Sequence, residues 1–116
     1  MKRYLIECND LKICNNAKVA KSFSSRLIGL MFKESMKDFD GLLITQCNSI
    51  HTFFMKYDLD LIFLNKDYEV IKVIENMKPW RMSLMYFSAT QVLEVVAGTL
   101  QGRIVKGNKL DIKCIN

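Results

Sequence analysis

Hydrophobic and polar positions alternate along much of the chain in short runs separated by turn-forming residues, a pattern typical of β-strands. It predicts strands over Arg3–Glu7, Leu11–Cys14, Ala17–Lys21, Leu42–Thr45, His51–Met55, Tyr68–Glu75, Val92–Ala97 and Lys109–Ile115. Leu59–Leu64 is nearly all apolar, as expected of a strand buried on both faces. Turns are predicted at Cys8-Asn9-Asp10, Asn15-Asn16 and Asn65-Lys66-Asp67, the first and last of them closing hairpins.

One segment has helical spacing instead. Apolar residues recur at near-helical intervals within Ser24–Phe32, and the preceding serines can cap the first turn. Gly98–Gly107 is predicted to be a connection that could hold a helical turn. The fold class expected is α+β: a compact, mainly antiparallel, barrel-like curled β-sheet of about six to eight short strands with one or two short helices.

Composition fits an ordinary globular protein. Of 116 residues, 50% are hydrophobic and 25% are charged, so a single domain over residues 1–116 is expected. The formal net charge is +5, but basic residues are scattered among acidic ones. A nucleic-acid site normally needs a clustered basic stripe, so the pattern disfavours nucleic acid and anionic membranes as partners.

The chain shows no sign of export or membrane insertion. Its basic start is followed by only a short apolar run, Tyr4–Ile6, whereas a secretory signal needs roughly 7–15 apolar residues. No apolar stretch approaches the roughly 18 residues that cross a bilayer. We therefore expect a cytoplasmic protein whose four cysteines are free thiols.

The most suggestive chemistry lies between Cys47 and Met55, which includes the only histidine, His51. A Cys–His pair can form a nucleophilic dyad or supply two ligands to a soft metal. In an extended strand, however, four residues span about 13 Å, so the two side chains meet only if Asn48-Ser49 folds the chain back. A buried cysteine and a structural histidine are therefore favoured over a catalytic site, and no metal site is predicted.

Other polar residues stand beside apolar runs. Asp58 and Asp60 could bind a hard cation, but turn or cap roles are favoured, and a buried Asp60 would need a donor such as Arg26 or Arg81. Glu94 interrupts a predicted apolar strand, so its carboxyl group either lies beside apolar neighbours or faces solvent. Trp80-Arg81 offers stacking together with a guanidinium. Phosphate-loop, nucleophile-elbow and zinc-protease motifs are absent, so no cofactor is expected.

Six segments together resemble the domain of unknown function 192 family, in order and over roughly residues 17–114. They are Arg26–Met31, Ile50–Met55, Leu59–Leu64, Pro79-Trp80-Arg81, Val92–Gly98 and Lys106-Gly107-Asn108. The resemblance implies a β-rich domain with a helix that carries the first segment, and no established activity. It also implies that the family's recurring residues map to Arg26, His51, Met55, Asp60, Trp80, Arg81 and Glu94.

This chain departs from the family pattern at four positions. It has Lys33 and Lys56 for a usual arginine, Asp58 for a usual proline and Asn108 for a usual aspartate. The last departure argues against any mechanism that needs a carboxylate at that position.

Two functions remain open from the sequence. The favoured one is a small cytoplasmic binding or accessory module that recognises a small ligand or peptide in a cleft near His51, Asp60 and Trp80. The candidate ligand-binding residues are Arg26, His51, Met55, Asp60, Trp80, Arg81 and Glu94. The alternative is a thiol-dependent or hydrolytic enzyme that uses Cys47 and His51.

Overall fold

A computed structural model of the chain describes residues 2–22, 30–31, 33–36 and 38–116. Seven β-strands lie within these ranges: β1 (Tyr4–Cys8), β2 (Leu11–Ala20), β3 (Gly41–Thr45), β4 (Leu59–Leu64), β5 (Val70–Met77), β6 (Gln91–Val96) and β7 (Asp111–Cys114). All seven belong to one sheet, in the order β5-β4-β6-β3-β2-β1-β7. Every neighbouring pair is antiparallel except β2 and β3, so the mainly antiparallel sheet is confirmed.

The predicted helices and barrel-like curl are not supported. Most of Ser24–Phe32 lies outside the described residues, and Gly98–Gly107 forms turns rather than helix. The sheet is open, because β5 and β7 are its edges and pair with one neighbour each. The segments that precede these two strands are joined by an isolated bridge between Glu69 and Lys109 and by main-chain hydrogen bonds such as Leu110 N to Tyr68 O at 2.9 Å, but the two strands themselves do not pair. The described part of the fold is therefore mostly β, with an unclosed sheet.

The strand β2 is longer than the sequence predicted. A turn was expected at Asn15-Asn16, but the strand runs through both residues. The Asp40 carboxylate accepts hydrogen bonds from Asn15 N at 2.6 Å and from Asn16 N at 3.0 Å. A side chain from the approach to β3 thus satisfies these backbone donors, and the strand continues with an irregular register against β1.

Both faces of the sheet are buried at its centre, where β3, β4 and β6 adjoin. The first face carries Leu43, Ile62, Leu64, Leu93 and Val95 and packs against β1, β2 and the loop after β6. The second face carries Leu42, Leu59, Leu61, Phe63 and Val92 and packs against residues from the 47–57 and 86–89 loops. The prediction that Leu59–Leu64 is buried on both faces is confirmed.

Candidate binding surface

Two loops cover the second face and run alongside each other in opposite directions. We call residues 47–55 and 78–90 together the loop ribbon. Main-chain bonds tie the two loops: Cys47 N to Thr90 O (3.0 Å), Tyr86 N to Asn48 O (2.9 Å), Ser83 N to Ile50 O (2.8 Å) and Thr52 N to Arg81 O (2.8 Å). His51 forms only an isolated bridge with Met82. The predicted strand His51–Met55 is therefore wrong, because after this bridge the chain turns instead of continuing in extended form.

Thr52 is the polar centre of the ribbon. Its side chain is fully buried, and its hydroxyl donates to Lys78 O at 2.6 Å and accepts from Arg81 N at 2.9 Å. Its carbonyl also accepts from Trp80 N at 2.9 Å. One threonine thus fixes the path of the other loop through residues 78–81. Sequence reasoning missed this role, since a threonine between aromatic residues gives no signal of its long-range partners.

Three aromatic rings meet on the outside of the ribbon. Trp80 lies edge-on to Phe54 with ring centroids 4.7 Å apart, and it stacks near Phe53 at 6.0 Å. The His51 ring lies 5.1 Å from Phe53. Phe54 and Trp80 both have left-handed backbone conformations, with φ of 64° and 65°. Bulky residues adopt this conformation at a cost on the order of 1–3 kcal/mol each, so the backbone of the ribbon is strained at these two residues.

The second loop of the ribbon exposes a run of large apolar side chains. Trp80 is 55% exposed, Met82 69%, Leu84 75%, Met85 57% and Phe87 82%. Isolated apolar residues at a surface are ordinary, but a contiguous group is characteristic of an interaction site. The sequence contains this signal, because large apolar residues are dense in a segment predicted to be irregular.

Arg81 lies within the same run. Its side chain is exposed, and its guanidinium has no hydrogen bond or ion pair with any residue that the structure describes. Nearby Lys56 and Lys78 are paired instead, with Glu34 at 2.7 Å and Asp58 at 3.1 Å. Arg81 therefore offers this surface a guanidinium, unpaired among the described residues, that can bond to an acidic group from outside.

Cys47 and His51 each have a local structural partner. The Cys47 thiol donates to Ser49 O at 3.0 Å, and His51 Nδ1 accepts from Phe53 N at 3.3 Å. Cys47 lines a groove of about 350 Å³ with Gln46, Asn48, Ala89 and Thr90, and His51 is not part of that lining. These contacts give each group a role in shaping its own loop.

Asp60 lies on the opposite face of the sheet from the ribbon. It pairs in register with Val95, which belongs to the first face, whereas its neighbour Leu61 faces the ribbon side. The carboxylate is fully buried. It accepts main-chain hydrogen bonds from Asn76 at 2.9 Å, Gly98 at 3.2 Å and Leu100 at 3.1 Å. Backbone N–H groups are therefore the donors to Asp60 among the described residues, where no arginine bonds to it, and the structure does not bring Asp60 together with Trp80.

Glu94 lies on the second face, beneath the ribbon. Its register partners Leu42 and Leu61 are both core residues of that face, as is the predicted site residue Met55. Glu94 is 4% exposed, and its Oε1 has no hydrogen-bond partner among the described residues, nor has the buried Tyr57 hydroxyl. Burial raises the pKa of Glu94 to about 8. Burial, and then the Glu94 charge, raise the pKa of Tyr57 to about 12.

Two further positions singled out in the sequence are Arg26 and Asn108. Arg26 lies outside the described residues. Asn108 accepts from Val105 N at 2.9 Å through its side-chain oxygen, so its side chain shapes the turn there. No helix in the described ranges is long and apolar enough to cross a membrane. The cytoplasmic location stays a prediction.

Comparison with known proteins identifies relatives of uncharacterised activity. The family model DUF192, described as "Uncharacterized ACR", matches residues 6–112. A UPF0127 protein of Pyrococcus horikoshii is 35% identical over 91 residues, which cover 76% of this chain and 78% of that protein. A UPF0127 protein of Pyrococcus furiosus is 33% identical over 96 residues, with 79% and 82% covered.

Two crystal structures are similar in fold. A protein of unknown function from Novosphingobium aromaticivorans has a TM-score of 0.79 and 19% identity, and the match covers 94% of this chain and 83% of that one. A protein from Sinorhizobium meliloti, provisionally assigned as a transcription regulator, has a TM-score of 0.77 and 21% identity, with 95% and 92% covered. At these identities the likeness concerns the fold alone.

Proposed function

The chain belongs to the uncharacterised DUF192 family, and we propose that this member is a binding module that holds an apolar, acid-bearing segment of a partner polypeptide on its loop ribbon. The observation that carries the proposal is the run of exposed large apolar side chains from Trp80 to Phe87. Exposed apolar area of this kind is stabilised when a partner covers it. The run extends along eight residues of chain, which suits a polypeptide segment better than a small molecule.

The strain within the ribbon supports recognition of a defined shape. Phe54 and Trp80 are held in left-handed conformations, and the Thr52 hydrogen bonds fix the backbone beside them. A surface that merely inserts into lipid needs no such fixed arrangement of rings, whereas preorganised aromatic anchors improve binding to a specific partner. We therefore favour a polypeptide over a membrane.

Charge complementarity supports an acidic group on the partner. The Arg81 guanidinium is exposed beside the apolar run and has no acidic partner among the described residues. An aspartate, a glutamate or a C-terminal carboxylate could bond to it in bidentate geometry. The net charge of +5 also disfavours a second copy of this chain as the acidic partner.

The alternative prediction is a thiol-dependent or hydrolytic enzyme that uses Cys47 and His51. The hydrogen bonds at the two residues do not favour it, because the thiol and Nδ1 are each engaged within their own loop. It is therefore not the function that we propose.

Trp80 provides the test, because it is the only tryptophan and is 55% exposed. A synthetic helix-forming peptide of leucines and glutamates should shift its fluorescence to shorter wavelength, while the same peptide with serine for leucine should not. Replacing both Met85 and Phe87 by serine should weaken binding about tenfold or more, since exposed apolar anchors are removed without disturbing the core.

Ile115→Ser is the matched control, because this residue is 51% exposed but lies outside the ribbon. It should leave the affinity unchanged. Equal affinity in the ribbon variant and the control would contradict the proposal. So would a shift produced by anionic phospholipid vesicles but not by the peptide, or by protein concentration alone.

A further inference from the structure

A free sheet edge, formed by strand β5, lies outside the loop ribbon. Strand β5 pairs only with β4, so its other side is a free edge. Near its start this edge is covered, because Val70 N donates to Asn108 O at 2.7 Å and Gly107 N donates to Val70 O at 2.9 Å. Farther along, the Glu75 carboxylate accepts from Gly102 N at 2.9 Å. The 102–108 loop is thus anchored to β5 at two points.

Between these anchors the edge is uncovered. Among the described residues, the main chain of Ile71–Ile74 bonds only within the β4–β5 ladder. The opening corresponds to about 13 Å of extended chain. A free edge of this kind presents unpaired N–H and C=O groups to any strand that can reach it.

A groove lies between this edge and the loop. Its volume is about 480 Å³, and Ile71, Val73, Ile104 and Val105 form its apolar lining. Ile104 is almost fully buried at 2% exposure, whereas Val105 is 54% exposed and can be covered by an added side chain. The groove therefore brings apolar side chains beside unpaired main chain.

The charge around the groove is mainly positive. Lys72 and Lys106 are exposed in its lining, while the one acidic side chain there, Glu75, accepts the Gly102 N–H. Lysines at an edge oppose pairing with a second copy of the same basic edge. The same lysines attract a strand that carries acidic residues.

We propose that this edge is a strand-acceptor site, at which an extended acidic segment of another polypeptide adds beside Ile71–Ile74 and places alternate apolar side chains in the groove. Main-chain hydrogen bonds would supply affinity, and the groove and the two lysines would supply selectivity. The site goes beyond the proposed function, since it shares no residue with the loop ribbon and does not depend on it.

The test uses a blocked synthetic peptide of alternating valine and glutamate and the whole ¹⁵N-labelled chain of 116 residues. Amide shifts should be confined to residues 71–75 and 102–106, with slowed hydrogen exchange within 71–74. A peptide N-methylated at alternate residues should not bind, because it lacks the donors for strand pairing. A valine–lysine peptide should not bind either, because its charge is reversed.

Protein variants separate this site from general electrostatics. Lys72→Glu combined with Lys106→Glu should weaken binding about tenfold. Lys12→Glu, at an exposed position of the interior strand β2, should have no effect, and neither should the Met85 and Phe87 serine variant of the ribbon. Equal binding of the N-methylated peptide, shifts centred on β7 or on the ribbon, or absence of binding at millimolar peptide would overturn the proposal. Concentration-dependent dimerisation through β5 would overturn it as well.

Discussion

Gly41, the first residue of β3, is packed too closely to accommodate a side chain. A Cβ built there would lie 2.5 Å from the Cys14 Sγ and 3.4 Å from Val95 Cγ1. Cys14 is fully buried and cannot move aside freely. We expect Gly41→Ala to lower the free energy of unfolding by about 1–3 kcal/mol through overpacking, measured by urea denaturation.

The cause of that loss can be isolated with Cys14→Ala, which removes the clashing sulfur. The double variant should lose less free energy of unfolding than the sum of the losses in the two single variants, because the added methyl group occupies space that the sulfur vacated. Strictly additive losses would show that the Cys14 contact is not the cause. The Cys14 thiol itself should resist alkylation in the folded state, since burial and the nearby Asp40 carboxylate raise its pKa.

Glu94 should make stability depend on pH. Its pKa rises from an ordinary 4.5 to about 8 in the folded state, so the folded protein holds this proton more tightly than the unfolded chain. The stabilisation is complete below the ordinary pKa and is lost as pH rises toward the folded value. Urea denaturation between pH 5 and 8 should therefore show a loss of about 1.4 kcal/mol per pH unit that is absent in Glu94→Gln. Parallel profiles for the two proteins would refute this assignment.

At the scale of elements, the loop ribbon depends on Thr52. Thr52→Val keeps the shape of the side chain but leaves Arg81 N and Lys78 O without its hydroxyl. We expect a loss of about 1–3 kcal/mol in stability and faster amide exchange over residues 80–83. Thr99→Val is the control, because among the described residues its hydroxyl bonds to Val96 O alone, in a turn outside the ribbon. Unchanged exchange in the Thr52 variant would mean that other bonds hold the ribbon.

Elements whose structure is determined by residues close in sequence could be predicted. The hairpin between β4 and β5 follows from the Asn65 turn, where the side-chain oxygen accepts from Asp67 N at 2.9 Å and from Glu69 N at 3.0 Å. Elements whose structure depends on residues far away in sequence could not be predicted. Asn15-Asn16 stays in β2 because of Asp40, and His51–Met55 leaves extended form because its partner is the irregular 78–90 loop.

At the scale of the whole molecule, the sheet separates residues that the sequence placed in one pocket. The residues His51, Trp80 and Glu94 lie on the ribbon side, while Asp60 lies on the other side and is bonded to backbone donors. Strand alternation says which neighbours share a face, but it does not say which loops cover that face. The ribbon and the open β5 edge emerge only once the strand order is known.

Binding of an apolar, acid-bearing polypeptide segment should leave its mark on the loop ribbon itself. Amide shift mapping of the ¹⁵N-labelled protein during titration with the leucine–glutamate peptide shows whether it does. The predicted result is saturable shifts confined to residues 51–54 and 80–87, lost when Met85 and Phe87 are replaced by serine. Absence of shifts in these residues, or the same shifts in the serine variant, would contradict it.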